Sequence, residues 1–211
     1  KLLYLSKRCR PDILPAISFL TSRVKKATDE DLVKLQRVFK YLRATKDKVM
    51  KFRKGVAELE VMAYVDAGYG VHETGESRSG LVVTVNGTPV ICKTSKQAIV
   101  TKSSTEAELV ALSDGATDIL WIRELLRCQG YDLNTVEIGE DNQSVLAMLE
   151  KRKFNTARTR HINIRYFFIV DRIKNGEVKV KYVPTDLMLA DFMTKPLTGK
   201  QFKVLLDKLL G

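Results

Sequence analysis

Four acids stand where a folded chain could bring them together. Asp66 closes the β-prone run "ELEVMAYVD" and Asp141 closes "TVEIGED", while Glu108 lies near the start of a long helical pattern and Asp191 sits in "LMLADFMTKP". Each has an ordinary alternative: Asp66 before Ala-Gly as a turn residue, Asp141 as a helix N-cap, Asp191 as an i,i+4 partner of Lys195. Two strand ends and two helix starts can also converge at one edge of a sheet. Like charges a few ångströms apart repel unless cations neutralise them. A set made of carboxylate oxygens, with no Cys or His pair, favours Mg²⁺ or Mn²⁺, and two such ions can activate a water and stabilise the leaving oxygen of a phosphodiester.

The stretch "SSTEAELVAL", Ser103 to Leu112, separates two glutamates by geometry. Two positions on a helix are about 200° apart, so Glu106 and Glu108 face different ways. With Glu108 at the origin, Leu112, Gly115, Ile119, Ile122 and Leu126 fall on its side of the wheel, which puts Glu108 at the head of the buried stripe. Glu106 follows Ser103 by three residues, the spacing of a capping box. A carboxylate facing the core is costly to desolvate without a compensating charge, so Glu108 requires a partner.

The elements that must hold these acids change character near Gly55. The first 50 residues read as helical. Thr28 is a plausible N-cap followed by Asp29, Glu30 and Asp31 in the first turn, and Leu32, Leu35, Phe39 and Leu42 are expected to form the buried stripe. After Gly55 come a strand ending at Asp66, a hairpin through "GLVVTVNGTPVICK" turning at Asn86-Gly87, and a helix from about Ser104 to Cys128 stopped at Gly130. A strand "TVEIGED", a short helix "NQSVLAMLE", a helix through "HINIRYFFIVDRIK", a strand "EVKVKYV" and a last helical stretch "DLMLADFMTK" complete the pattern. A hairpin followed by alternating helices and strands predicts a mixed α/β sheet with helices on its faces.

Composition narrows the classes of function. The chain has 211 residues, 45% hydrophobic and 29% charged, and lacks an apolar run of the ~18 residues needed to span a membrane, so a membrane role is not expected. Three cysteines, Cys9, Cys92 and Cys128, form no C-x-x-C pair, which suggests neither a disulfide framework nor a zinc site, and a reducing intracellular setting is expected. The opening "KLLYLSKRCRPDIL" reads as a piece of a longer polypeptide. The net charge of +11 is concentrated: residues 1–55 hold 16 Lys and Arg against 5 Asp and Glu, and the remainder is balanced. A second basic run, Lys151 to Val170, has six Lys and Arg and no acid. Such asymmetry suggests a polyanion, most simply nucleic acid, although solvated basic faces are the plainer reading.

These motifs resemble a known family. "YVDAGYG", "SRSGLVVTVNGTPVICKTSKQAIVTKSSTEAELVALSDGATDILWIRELL", "IGEDNQS", "RTRHINIRYFFI" and "YVPTDLMLADFMTKPL" together are similar to the ribonuclease H domain of copia-type LTR retrotransposon Pol polyproteins. The preceding "LLYLSKRCRPDILPAISFLTSRVKKATDEDLVKLQRVFKYLRATKD" resembles the tail of the same polyprotein's reverse transcriptase. The resemblance implies a small helical segment, residues 1–55, ahead of a ribonuclease H-like domain, residues 56–211, with a mixed sheet of about five strands and helices on both faces. It implies Asp66, Glu108, Asp141 and Asp191 as catalytic carboxylates holding two Mg²⁺ or Mn²⁺ ions. Ser103, Ser104 and Thr105, with Asn142 and Gln143, match positions that touch nucleic acid in such enzymes, and helix capping is compatible with that role. The basic patch with Arg158, Arg160 and His161 would meet phosphates, although a surface or capping role is the plainer reading of His161.

The implied reaction is hydrolysis of the RNA strand of an RNA/DNA hybrid during reverse transcription. The partners would be that hybrid and the remainder of the Pol polyprotein, inside the cell and its virus-like particle. Gly68 and Tyr69 replace the family's second Asp and Trp, Cys92 stands where "SW" is common, and "HINI" replaces "HIDI". The alternative is a catalytically silent ribonuclease H-like nucleic-acid-binding module of a decayed or domesticated element. An integrase or transposase would instead be expected to end its acid series on a helical Glu.

Overall fold

A computed structural model of the chain describes residues 1–52, 59–151 and 160–210. Among the described residues five strands form one mixed sheet: β1 (Val61–Gly68), β2 (Arg78–Val85), β3 (Thr88–Lys96), β4 (Val136–Glu140) and β5 (Val178–Tyr182), in the order β3-β2-β1-β4-β5. The first three run antiparallel, and β4 and β5 add on in parallel beside β1. The β2–β3 hairpin turns where expected, with Asn86 and Gly87 both at positive φ (50° and 72°), the conformation an Asn-Gly turn adopts readily. This is the fold class expected, a mixed sheet with helices on both faces and a helical segment ahead of it.

One face of the sheet presents Val61, Ala63, Val65, Leu81, Val83, Val136 and Ile138 to helices α4 (Ser104–Cys128), α5 (Gln143–Lys151) and α6 (Arg160–Lys174). Alternation along the strands sends Val82, Met62 and Tyr64 to the other face. There they meet two further helices, the single turn α7 (Asp191–Thr194) and α8 (Gly199–Leu210). Helix α8 was not expected from the sequence, although Leu205, Leu206, Leu209 and Leu210 are all buried. The stretch before Pro196 is not one helix either. A 3₁₀ turn at Thr185–Leu187 is separated from α7 by Met188, whose backbone is extended. From Met188 to Met193 every residue is buried, and a surface helix cannot bury consecutive residues all round.

The N-terminal helices α1 (Leu2–Arg8), α2 (Leu14–Ser22) and α3 (Asp29–Ala44) pack on this second face. Leu14 lies in the same cluster as Val82 and Leu205, and Arg78 donates to Ser18 at 3.2 Å. A buried Arg10–Asp12 pair, with Tyr41 donating to Asp12 at 2.7 Å and Arg10 donating to the Thr45 carbonyl at 3.1 Å, ties the α1–α2 connection to the end of α3. Thr28 precedes α3 as the expected N-cap, and it forms a capping box with Asp31. Of the four residues of the apolar stripe, Leu35 and Leu42 are half-buried, Leu42 against Ile13, Ile17 and Val38, while Leu32 and Phe39 are each 53% exposed; the fully buried positions are Asp31 and Val38. Asp31 accepts from the Arg23 guanidinium at 3.0 Å and from the Thr28 amide at 3.1 Å. The boundary at 55/56 lies outside the described residues.

Gly80 is a point of close approach between the sheet and α7. It pairs across the β1–β2 ladder with Asp66. A Cβ there would come within 2.9 Å of the Ala190 carbonyl and the Met193 Cβ, and within 2.7 Å of a Thr194 methyl. Only hydrogen at this position lets α7 lie flat on β2 beside Asp66. Gly80→Ala is therefore expected to lower stability by about 1–3 kcal/mol, read from urea denaturation, because α7 must move out as a body. A neutral effect would mean that α7 is not seated on β2.

Candidate active site

Asp66 and Asp141 reach the same edge because β1 and β4 are adjacent and parallel, so both strands deliver their C-terminal ends to it. Glu108 arrives from the first turns of α4, heading the stripe Leu112, Gly115, Ile119, Ile122 and Leu126, all buried as the wheel requires. Ligand oxygens of Asp66, Glu108 and Asp141 lie within 4.8 Å of one another. Asp66 and Glu108 are buried, and Asp141 is partly open to solvent. Asp191 joins this set through a cation. Lys195 Nζ stands 2.6 Å from Asp191 Oδ1 and 3.1 Å from Asp66 Oδ1. The i,i+4 spacing that offered Asp191 an ordinary role is realised, and the same lysine ties Asp191 to the site.

Two further side chains were not singled out in the sequence. Thr194 donates its hydroxyl to Asp66 Oδ2. Glu140 is fully buried, with Oε1 accepting from the Asn142 amide at 3.0 Å. The signal for Glu140 was present as strand parity: Val136, Ile138 and Glu140 share a face, and the first two are core residues. Thr194 carried no signal, because only the seating of α7 beside Gly80 brings it to Asp66.

Electrostatics follow from this packing. Burial pushes the Glu108 carboxyl well above the usual carboxylate range, the charges of Glu140, Asp66 and Asp141 push it further, and Lys195 partly relieves it. Burial likewise raises Glu140, against the pull of the Asn142 amide. Asp191 is raised by burial and by Asp66, with Lys195 opposing. Desolvation works against the Lys195 ammonium, yet Asp66 and Asp191 outweigh it and raise its pKa. Buried oxygens of Glu108 (Oε2), Glu140 (Oε2) and Asp191 (Oδ2) have no hydrogen-bond partner among the described residues. Unpaired, desolvated carboxylate oxygens with three acids converging fit hard divalent cations such as Mg²⁺ or Mn²⁺.

The polar residues near the acids cap helices. Ser103 accepts from the Glu106 amide at 3.2 Å, as expected, and the Glu106 carboxylate accepts from the Lys102 amide at 2.8 Å. Ser104 and Thr105 form the first turn of α4, Ser104 exposed. Asn142 Oδ1 accepts from the Ser144 and Val145 amides and so starts α5, whose first residue, Gln143, is exposed. Thr185 donates to Asp141 Oδ2 at 2.9 Å. Arg160 and His161 stand exposed at the start of α6, outside the carboxylate set, and Arg158 lies outside the described residues.

No protein-family model matches the chain. Curated relatives do. The Retrovirus-related Pol polyprotein from transposon RE1 of Arabidopsis thaliana is 32% identical over 202 residues, 95% of this chain. That from transposon TNT 1-94 of Nicotiana tabacum is 27% identical over 204 residues, 96% of the chain, and the transposon Ty1-H Gag-Pol polyprotein of Saccharomyces cerevisiae is 24% identical over 208 residues, 97% of the chain. Its homologues are Pol polyproteins of copia-type retrotransposons. The chain spans only 14%, 15% and 12% of the length of these three relatives. Among solved structures, an N-terminal RNase H domain from Mycobacterium tuberculosis, fused to maltose-binding protein, aligns with a TM-score of 0.49 at 15% identity, covering 65% of this chain and 91% of that one. LC11-RNase H1 in complex with RNA/DNA hybrid aligns with a TM-score of 0.49 at 16% identity, covering 64% and 94%.

The raised carboxyl pKa values carry a stability consequence with a definite sign. The folded chain holds protons that the unfolded chain has already released, so this contribution is complete below the unfolded pKa and is lost as pH rises through the folded values. In EDTA, Tm should fall from about pH 5 to 8. Glu108→Gln removes part of that loss, so its Tm relative to the unaltered protein should climb with pH, and Mg²⁺ at pH 8 should raise Tm of the unaltered protein most. A Tm difference that does not change with pH would show that Glu108 is not desolvated among like charges.

Proposed function

We propose that this chain carries a metal-dependent ribonuclease H that hydrolyses the RNA strand of RNA/DNA hybrids, acting as part of a retrotransposon Pol polyprotein. The observation that carries the reading is the convergence of Asp66, Glu108 and Asp141 within 4.8 Å at the ends of two parallel strands, with Asp191 alongside. The Pol relatives support the setting. Asp66, Glu108, Asp141 and Asp191 would hold two Mg²⁺ or Mn²⁺ ions, which supply an activated water and neutralise charge on the reacting phosphate.

The chain's own residues divide the remaining work. Asp66 and Asp141, on rigid strand ends, hold the reacting edge in place. Ser104 and Gln143, exposed at helix starts, would meet the hybrid's sugar edge, where short polar side chains can distinguish a 2′-hydroxyl. The basic excess of residues 1–55 and the start of α6 around Arg160 and His161 would contact phosphates without reading sequence. Attack of water on phosphorus with departure of the 3′ oxygen leaves a 3′-hydroxyl and a 5′-phosphate.

Labelled RNA/DNA hybrid incubated with and without Mg²⁺ or Mn²⁺ tests the reading. Cleavage should require the metal and spare the DNA strand. Asp141→Asn should abolish cleavage while leaving hybrid binding in low salt largely intact, and binding without any metal-dependent cleavage by the unaltered protein would favour the silent module instead. The two glutamates of α4 should separate in the same assay. Glu108→Gln abolishes cleavage, whereas Glu106→Gln lowers stability by about 0.5–1 kcal/mol through its cap and leaves cleavage nearly unchanged. Equal loss of cleavage in both would remove the division of labour between them.

A further inference from the structure

Lys195 goes beyond its i,i+4 pairing with Asp191, because it also reaches Asp66. Its ammonium bridges Asp66 and Asp191, each 1% exposed, while its own side chain is 39% exposed. The Lys195 backbone is extended (φ −115°, ψ 144°) and follows the single turn of α7, so the side chain returns over its own helix end to reach the two acids. Thr194 holds the second oxygen of Asp66 from the same turn. The chain therefore supplies its own cation to the Asp66–Asp191 pair, while Asp66 is also shared with a three-acid set, Asp66, Glu108 and Asp141, that does not include Asp191.

We propose that Lys195 is a displaceable internal cation: it neutralises the Asp66–Asp191 pair in the metal-free protein and swings into solvent when a second divalent ion is shared by those two acids. The inference rests on the proposed metal-dependent function and adds an order to it. An ion ligated by Asp66 Oδ1 and Asp191 Oδ1 and the Lys195 ammonium cannot share one space, since both sit between the same two oxygens and repel each other. Asp66 and Asp191 are fixed by burial; the lysine, on a flexible four-carbon stem open to solvent, is the group that can leave. The three-acid position needs no such displacement. The protein should thus have one tight and one weak divalent position, with Lys195 setting the weakness of the second.

Mn²⁺ titration of the full chain without nucleic acid, followed by the electron paramagnetic resonance signal of free Mn²⁺, reads both positions. Lys195→Met should tighten the weaker position by about tenfold or more and leave the tighter one within about threefold, while Lys195→Arg, which keeps the charge, should resemble the unaltered protein. Lys102→Met controls for loss of positive charge near the start of α4 and should move neither position by more than about twofold to threefold. An unchanged weak position in Lys195→Met, or the same shift in Lys102→Met, overturns the proposal. A second measurement needs no variant: acylation of Lys195 by acetic anhydride, followed by mass spectrometry, should be slow in EDTA and accelerate over the Mg²⁺ range that fills the weaker position. A flat rate overturns it. Failure of the functional reading looks different, as absence of any tight Mn²⁺ position sensitive to Asp141→Asn.

Discussion

Carboxylates gathered at one edge of a sheet repel one another, and much of the architecture around that edge is arranged to hold them there. Asp66, Glu108, Glu140 and Asp191 are buried, and burial removes the water that would otherwise screen them. The compensations are specific and few: the Thr194 hydroxyl and Lys195 ammonium on Asp66, the Asn142 amide on Glu140, the Thr185 hydroxyl on Asp141. Among the described residues they leave oxygens of Glu108, Glu140 and Asp191 without a hydrogen-bond partner, which suits the site to cations.

Holding such a set requires rigid supports from both faces of the sheet. On one face α4 packs its stripe from Leu112 to Leu126 against Val65 and Leu81, so Glu108 is aimed by the whole length of a 25-residue helix. On the other, α7 is only one turn long and has little stability of its own. Its position comes from Phe192 and Met193 in the cluster with Val82 and α8, and from the bare backbone at Gly80. The N-terminal helices join that same cluster through Leu14, so the segment with most of the basic charge is packed onto the layer that places Asp191.

Much of this arrangement is legible in the amino-acid sequence. The hairpin at Asn86-Gly87, the helix from Ser104 to Cys128 and the inward aim of Glu108 all follow from local rules, turn chemistry and a 3.6-residue period, that tertiary contacts here reinforce. The departures are equally specific. The fully buried positions of α3 are Asp31, paired with Arg23, and Val38, while Leu32 and Phe39 of its apolar pattern stay exposed. The segment from Met188 to Met193 departs from a single helix because all of it is buried, a condition no amphipathic period describes.

The sequence by itself determined which acids exist, on which kinds of element, and that one of two nearby glutamates must face inward, because backbone periodicity depends only on the chain. It also carried the family resemblance that the Pol relatives share. Only the tertiary structure decided which acids meet. Asp66 and Asp141 come together because β4 adds to the sheet beside β1 in parallel, a pairing between residues 75 positions apart in the chain. Glu140 became part of the buried set through strand parity realised in that pairing. Lys195 acquired Asp66 as a second partner, beyond the Asp191 its spacing offered, because α7 lies flat on Gly80. Long-range proximity is set by packing and pairing across the fold, and local sequence carries no record of it.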